Sequence, residues 1–410
     1  MRSVVITGTG VIGPGGENSA TFFSRLIAGQ SSIGTLNEPF AHRLKTQISA
    51  SVEFDAEKHF SQSVLLTLDR FSQLGLIAAR EAVVASTVCL EGELTERAGV
   101  FWGSVMGGNR TLEQGYIELF VKNKNRLRPL TVPMTMVNAA ANQIGIEFGI
   151  RGPVVTCSTA CSSSAFAIGD AFRAIQRSEI DVAIAGGSDC LLTLGTISAW
   201  EALRAMASED PVNPAASCRP FSNDRTGLVL GEGAGALILE EEEHARERNA
   251  NILAKLSGYG RSNDATHMTK PTIEGQVRAM RQALLEAKLV PAEVGYLNAH
   301  GTATLVGDRN ETAAIKEVFG AHAYALPVSS TKSMHGHLMG AAGVVEFIVA
   351  LLAMRANVIP PTAHLRVRDP ECDLDYVPNT ARENVEINAV VSNSFAFGGS
   401  NAVLVAQRYI

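Results

Sequence analysis

Hydrophobic and polar positions follow two rhythms along this chain: short unbroken apolar runs, and longer stretches with an apolar residue at every third or fourth place. The runs predict buried strands, and the stretches predict helices with one covered face. Val4-Val5-Ile6 opens a strand that enters the glycines of Gly8-x-Gly10-x-x-Gly13. Residues 17–29 and 64–86 carry helical spacing, residues 100–108 read as a strand ending in glycines, and 110–121 and 138–148 read as helices. Val154-Val155 is a short run feeding a helix with Phe166, Ile168, Phe172 and Ile175 on its apolar face. Strands at 180–187 and 231–239 close the series.

A second series begins at Ile252. It reads strand 252–258, helix 273–288, strand 294–299, helix 308–319, strand 326–330, helix 340–355, and strands 388–394 and 402–407. Two rounds of alternating strands and helices predict an α/β protein of helix-covered sheets. The order invites the idea of an internal duplication, with halves at 1–251 and 252–410, although no clear sequence repeat accompanies it. The charge run Glu240 to Glu243 lies close to that seam and reads as a solvated helix face.

At 410 residues the chain exceeds one ordinary core, in keeping with two halves. A composition of 46% hydrophobic and 19% charged residues excludes disorder, and a net charge of -6 argues against general nucleic-acid binding. Six cysteines in so long a chain make no disulfide framework or zinc spacing, which points to a reducing, cytoplasmic setting. No leader pattern precedes Val4, and the apolar segment 340–354 carries Glu346 and reads as too short to cross a membrane. The glycine fingerprint at Gly8 is prolonged by Pro14-Gly15-Gly16, and no convincing acidic residue ends a second strand at the right distance, so it reads as a tight turn at a sheet edge rather than a nucleotide site.

Chemistry concentrates at strand-to-helix junctions. Thr159-Ala160-Cys161-Ser162-Ser163 sets a cysteine among small residues at a helix start, where unpaired N–H groups favour thiolate. Asn298-Ala299-His300-Gly301-Thr302-Ala303-Thr304 places a histidine on a strand-end loop. Ser330-Thr331-Lys332-Ser333-Met334-His335-Gly336-His337 leaves another strand and enters a helix of small residues able to approach a neighbouring backbone. His300, His335 and His337 have no zinc-site spacing, so metal binding is set aside. Ser394-Phe395-Ala396-Phe397-Gly398-Gly399 puts aromatic rings on a glycine loop between two strands.

Together these segments resemble the elongating β-ketoacyl-acyl carrier protein synthases of the thiolase-fold condensing enzymes. TACSS, NAHGTAT, SSTKSMHGHLMGAAG, SNSFAFGGSN and NDRTGLVLGEGAGALILE occur in the family's order, and the likeness runs from Val4 to about Val405. It implies a five-layer αβαβα thiolase-like fold of two similar halves related by a pseudo-twofold axis. It further implies an acyltransferase that joins an acyl chain held on Cys161 to malonyl-acyl carrier protein with loss of CO₂. His300 and His337 would promote decarboxylation, Lys332 would order them together with Glu346, and Asp308 and Glu311 would have structural or electrostatic parts. Phe397, after Ala396, would gate the site and lend an oxyanion N–H. Thr302 and Thr304 would bind the phosphopantetheine arm, and Met106, Trp200 and Phe395 would line the acyl site. No metal, nucleotide or redox cofactor is implied. The implied partners are acyl carrier protein and a second copy of the chain, or a related subunit in a heterodimer.

Some residues depart from the family's pattern. Ala396 replaces a glycine at the gate hinge, Trp200 a phenylalanine, and Met106 falls at the floor of the acyl pocket. The helix that normally offers basic residues to carrier protein reads Ser61 to Arg70 and supplies only Arg70, so Lys122, Lys124, Arg126, Arg128 and Arg204 are expected to carry the attraction. These departures favour a specialised polyketide or polyene chain over housekeeping fatty acid synthesis. Two rivals remain at this stage: a non-catalytic chain-length subunit, against which Cys161 speaks, and a Cys–His thioester hydrolase.

Overall fold

The computed structural model describes all 410 residues. The apolar runs form ten strands: β1 (Val4–Ile12), β2 (Ala98–Gly103), β3 (Val154–Cys157), β4 (Val182–Asp189), β5 (Gly233–Glu241), β6 (Ala254–Asn263), β7 (Tyr296–Asn298), β8 (Val328–Ser329), β9 (Ala389–Phe395) and β10 (Ser400–Gln407). Their spatial order is β8-β7-β9-β10-β6-β1-β5-β4-β2-β3. Numbered within each set of five, both sets read 1-5-4-2-3 outward from the centre, so the second round of the pattern repeats the topology of the first.

The two sets meet where Val4, Val5 and Ile6 pair antiparallel with Leu256, Lys255 and Ala254. This seam makes one continuous ten-stranded ladder. Two central helices, α1 (Ser163–Gln176) and α2 (Ala342–Ala356), pack on each other and on strands of both sets. Almost every side chain of α2 is buried, which is why it shows no polar stripe. Outer helices, such as Arg70–Ser86 on β1 and β5 and Ile273–Ala287 on β6 and β10, cover the remaining faces. The largest apolar cluster joins Ile6 and Phe172 with Phe347 and Leu404, so the core is shared between the sets. Central and outer helices packed on this ladder give the α/β layering of the thiolase fold.

Several expectations need correction. Gly8 and Gly10 lie inside β1, a central strand rather than an edge turn; a Cβ at either would sit 2.2 and 2.0 Å from carbonyl oxygens of the helix Arg70–Ser86. The expected helix 64–86 is broken, because Asp69 caps a new helix by accepting from the Phe71 N–H. Glu240 is no solvated charge: it is fully buried in β5 and takes hydrogen bonds from Thr7, His244 and Arg248. With its preceding 3₁₀ turn, α2 spans the 18 residues Met339–Ala356 and is long and apolar enough to cross a membrane. It is 83% buried inside the protein, the state of a core helix.

Candidate active site

β3 ends at Cys157, and the turn that follows lifts Cys161 to the start of α1. Ala160 adopts the left-handed conformation (φ 51°), as do Ala303 (φ 64°) next to Thr302 and Met339 (φ 54°) beyond His337. A side chain there costs about 1–2 kcal/mol, so three strained non-glycine turns converge on one place. The place is a buried cluster: ligand atoms of Cys161, His300 and His337 all lie within 4.8 Å of one another. The two imidazoles meet edge to face with centroids 5.5 Å apart. Residues distant in sequence are therefore brought together as the motifs implied.

Hydrogen bonds fix the imidazole tautomers. The backbone N–H of Met339 donates to His337 Nδ1 at 3.2 Å, so the proton must reside on Nε2, which is buried and has no partner. Lys332 Nζ, which can only donate, stands 3.5 Å from His300 Nδ1 and 2.6 Å from the His300 carbonyl oxygen, placing that ring's proton on Nε2 as well. Burial, followed by the Lys332 charge, holds both histidines well below the usual imidazole range. Both are thus neutral donors at neutral pH.

Lys332 also pairs with Glu346, the two being about 1% exposed. Burial pushes Glu346 up to about 7, and Lys332 opposes it. Glu311 takes the N–H groups of His300 (2.8 Å) and Gly301 (2.7 Å) and the amide of Asn393 (3.0 Å), which clamps the His300 loop. Asp308 lies deeper, against Arg225 (3.3 Å) and the Phe221 N–H (2.8 Å), and burial pushes it up to about 7. Sequence reasoning missed Asp189, which accepts from Ser104 Oγ (2.9 Å), Val105 N–H (3.0 Å) and Gly340 N–H (2.6 Å) and ties the His337 loop to the first half. An acidic residue closing the apolar run of β4 was the available signal.

The expectation of a thiolate at rest is overturned. Burial pushes the Cys161 thiol up to about 12, against the opposing pull of Lys332 and of the Phe397 and Cys161 N–H groups. Those two N–H groups reach the sulfur and are suitably placed to receive an oxyanion. A metal does not suit the cluster. Coordination through His337 Nε2 would need a lone pair on the atom that its Met339 bond keeps protonated, beside the Lys332 cation.

A cavity of about 350 Å³ leads from the surface to this cluster. Its lining includes Thr302, Thr304, Trp200, Phe395, Ala396 and Phe397, with Arg204 and Lys270 at the mouth. Trp200 stacks on Phe397 (5.6 Å, 21°). Ala396 has φ -107°, a value any residue adopts, and the left-handed turns of the gate fall instead on Gly398 (φ 82°) and Gly399 (φ 74°). Met106 is not in this cavity; it is 45% exposed and lines a second groove on the far side of Trp200 and Leu203. The turn at Gly107 (φ 60°) after β2 carries it outward.

Arg70 also departs from expectation. It forms a two-pronged ion pair with Glu232 (2.7 and 3.0 Å), donates to the Val52 carbonyl and is not free to dock a partner. Lys122, Lys124, Arg126 and Arg128 are exposed, with Lys124 held by Glu118 at 3.0 Å, but none lines the cavity. Leu66, within the Ser61 to Arg70 segment, is 62% exposed.

Comparisons with known proteins give the family. The family model described as Beta-ketoacyl synthase, N-terminal domain, matches residues 1–245, and that described as Beta-ketoacyl synthase, C-terminal domain, matches residues 253–366. Nodulation protein E of Rhizobium leguminosarum bv. trifolii is 43% identical over 407 residues, covering 99% of each chain. The 3-oxoacyl-[acyl-carrier-protein] synthase 2 of Staphylococcus aureus (strain N315) is 41% identical over 414 residues, covering 100% of this chain and 99% of the relative. A β-ketoacyl synthase from Burkholderia phymatum STM815 superposes with a TM-score of 0.92 at 32% identity, each chain fully covered. A type II polyketide synthase ketosynthase described in complex with its acyl carrier protein and bound to the hexaketide (AntDE:AntF) gives 0.91 at 30%, again with full coverage. Matched along nearly its whole length and in its fold, the chain belongs to the β-ketoacyl synthase family of acyltransferases.

Proposed function

We propose that this chain elongates acyl chains by decarboxylative Claisen condensation, with Cys161 as nucleophile and His300 and His337 as neutral hydrogen-bond donors. The observation that carries this reading is the buried cluster in which one ring nitrogen each of His300 and His337 lies within 4.8 Å of the Cys161 sulfur, with His337 Nε2 left without any partner in the protein. The acyl thioester enters along the cavity from acyl carrier protein. Cys161 loses its proton as its sulfur attacks the carbonyl, the carrier thiol leaves as R–SH, and the oxyanion is met by the Cys161 and Phe397 N–H groups.

Malonyl-carrier protein then takes the vacated place. As its C–C bond breaks to release CO₂, negative charge moves to the thioester oxygen, where two N–H donors stabilise it more than they stabilise the substrate. The carbanion attacks acyl-Cys161, forming the new C–C bond and expelling the cysteine sulfur. Lys332, held by Glu346, keeps His300 Nδ1 an acceptor, and that holds its proton on the reactive side. No step calls on a metal or redox cofactor. Thr302 and Thr304, whose hydroxyls lie 3.0 Å apart, would hold the arm.

The likeness to Nodulation protein E and to polyketide ketosynthases supports a specialised chain, and that to 3-oxoacyl synthase 2 supports fatty acid synthesis. The loss of Arg70 as a docking cation favours the former. Residues 1–251 and 252–410 serve as the two halves of one unit, supported by their matching strand order. The chain works as a dimer in the cytoplasm, with itself or with a chain-length partner of the kind seen in an ishigamide ketosynthase/chain length factor structure. Incubation with acyl- and malonyl-carrier protein tests the reading: β-ketoacyl-carrier product is expected, while free acid without a new C–C bond would make the protein a hydrolase.

A further inference from the structure

The backbone and the ring of His337 are held by different means. Its N–H donates to the Val229 carbonyl at 2.7 Å, and its carbonyl accepts from the Gly231 N–H at 2.9 Å. The ring has one protein hydrogen bond, from the Met339 N–H to Nδ1, because Nε2 has no partner. Met339 is left-handed (φ 54°), a conformation that a methionine adopts only where its surroundings impose it.

The peptide on the other side of Met339 is gripped from the first half of the chain. The Gly340 N–H donates to Asp189 Oδ2 at 2.6 Å, and a Cβ on residue 340 would collide with that carboxylate. Asp189 is fully buried at the end of β4, where Ser104 Oγ (2.9 Å) and the Val105 N–H (3.0 Å) fix it in turn. One buried carboxylate therefore holds the peptide after a strained residue, and the peptide before that residue holds the imidazole.

We infer that Asp189 is a positioning residue for decarboxylation: by gripping the Gly340 N–H it keeps Met339 left-handed, aims the Met339 N–H at His337 Nδ1 and so leaves the His337 proton on Nε2. This rests on the elongation reading above. An Nε2–H is needed where charge gathers on the malonyl thioester oxygen, whereas acyl transfer to Cys161 draws on the Cys161 and Phe397 N–H groups. Without the carboxylate, Met339 relaxes to negative φ and its N–H leaves Nδ1. The ring is then free to turn or to carry its proton on Nδ1.

The test compares wild type with Asp189→Ala, which removes the acceptor, and with Asp189→Asn. The asparagine oxygen can still take the Gly340 N–H while Ser104 turns its hydroxyl to accept from the new NH₂. Asp189→Ala is expected to lower kcat for malonyl-carrier decarboxylation approximately ten-fold at unchanged KM, the worth of about one hydrogen bond, and Asp189→Asn to restore most of it. Cys161 acylation, followed by intact mass, should be unchanged, which also verifies the fold. In ¹⁵N spectra of histidine-labelled protein, the His337 signals are those lost in His337→Asn. They should report Nε2–H in wild type and Asp189→Asn and a mixture of tautomers in Asp189→Ala. Equal falls in both half-reactions, an unchanged decarboxylation rate, or His337 signals that Asp189→Ala does not move would each overturn the inference. If Asp189→Ala does not fold, Ser104→Ala, which frees the carboxylate to turn, is held to the same split between half-reactions. A wild type that makes no C–C bond would fail the elongation reading instead, and the spectra would still judge Asp189.

Discussion

The corresponding strands of the two halves end in different chemistry. In the first half the second, third and fourth strands lead to Met106, Cys161 and the loop after Asp189. In the second they lead to His300, to Lys332 and His337, and to Phe397. On the proposed mechanism, one half supplies the nucleophile and the other supplies the donors, the cation and the gate. The same strand order recurs in both halves while the loops at the strand ends differ, and that mechanism needs both sets of loops around one cavity. Asp189, bonded to Gly340 from across the pseudo-symmetry, shows how the halves are held in register.

The largest effect should come from the nucleophile. Cys161→Ala should abolish chain extension, a loss of at least about 10³-fold, measured as β-ketoacyl product, with the fold intact by circular dichroism. Next come the second half's donors. His300→Ala should slow malonyl decarboxylation by about 10²–10³-fold, the scale of one lost transition-state donor, and acyl transfer to Cys161 much less. Equal losses in both half-reactions would erase the division of labour between the halves. Lys332→Met leaves Glu346 buried without its partner and should destabilise the protein by about 3–5 kcal/mol in denaturant titration.

Smaller effects follow from pH. His300, His335 and His337 have folded-state affinities for protons below the unfolded value, His335 being lowered to about 3 by burial and then Lys332. The unfolded state therefore binds more protons, so stability is full above about pH 6.5 and falls as pH drops through that value. Glu346 works in the opposite sense: its raised affinity makes it a stabilising influence that is lost as pH rises from about 4.5 towards 7. Urea midpoints across pH 4 to 8 should show the histidine-driven fall on the acid side. Decarboxylation by folded enzyme should show no acid limb near pH 6.5, because the histidines are already neutral.

The smallest effect separates the mouth from the basic loop. Arg204→Ala should weaken carrier-protein affinity more than Arg126→Ala, because only Arg204 lines the entrance. Arg70→Ala should alter stability through Glu232 and leave carrier affinity unchanged. Titrations at low and high salt would distinguish the two kinds of arginine.

Much of this was legible in the sequence, for identifiable reasons. The ten strands were visible because strands buried on both faces read as unbroken apolar runs, as at Val182 to Ala185. That Cys161, His300 and His337 would gather was legible because their loops carry motifs of unusual composition. Features that depend on through-space partners were not legible. Nothing along the chain says that Arg70 would meet Glu232, 162 residues away, or that Glu240 would be buried under Arg248. The thiol's state was misjudged because a helix start is visible in sequence and the burial that outweighs it is not.

Intact-protein mass after sequential addition of acyl-carrier and malonyl-carrier protein tests the central claim most directly. Wild type should gain one acyl mass and lose it as β-ketoacyl-carrier forms, Cys161→Ala should gain none, and His300→Ala should gain the acyl mass and retain it. An acyl adduct that persists in Cys161→Ala, or a wild-type adduct that clears only as free acid, would contradict a condensing site shared between the two halves.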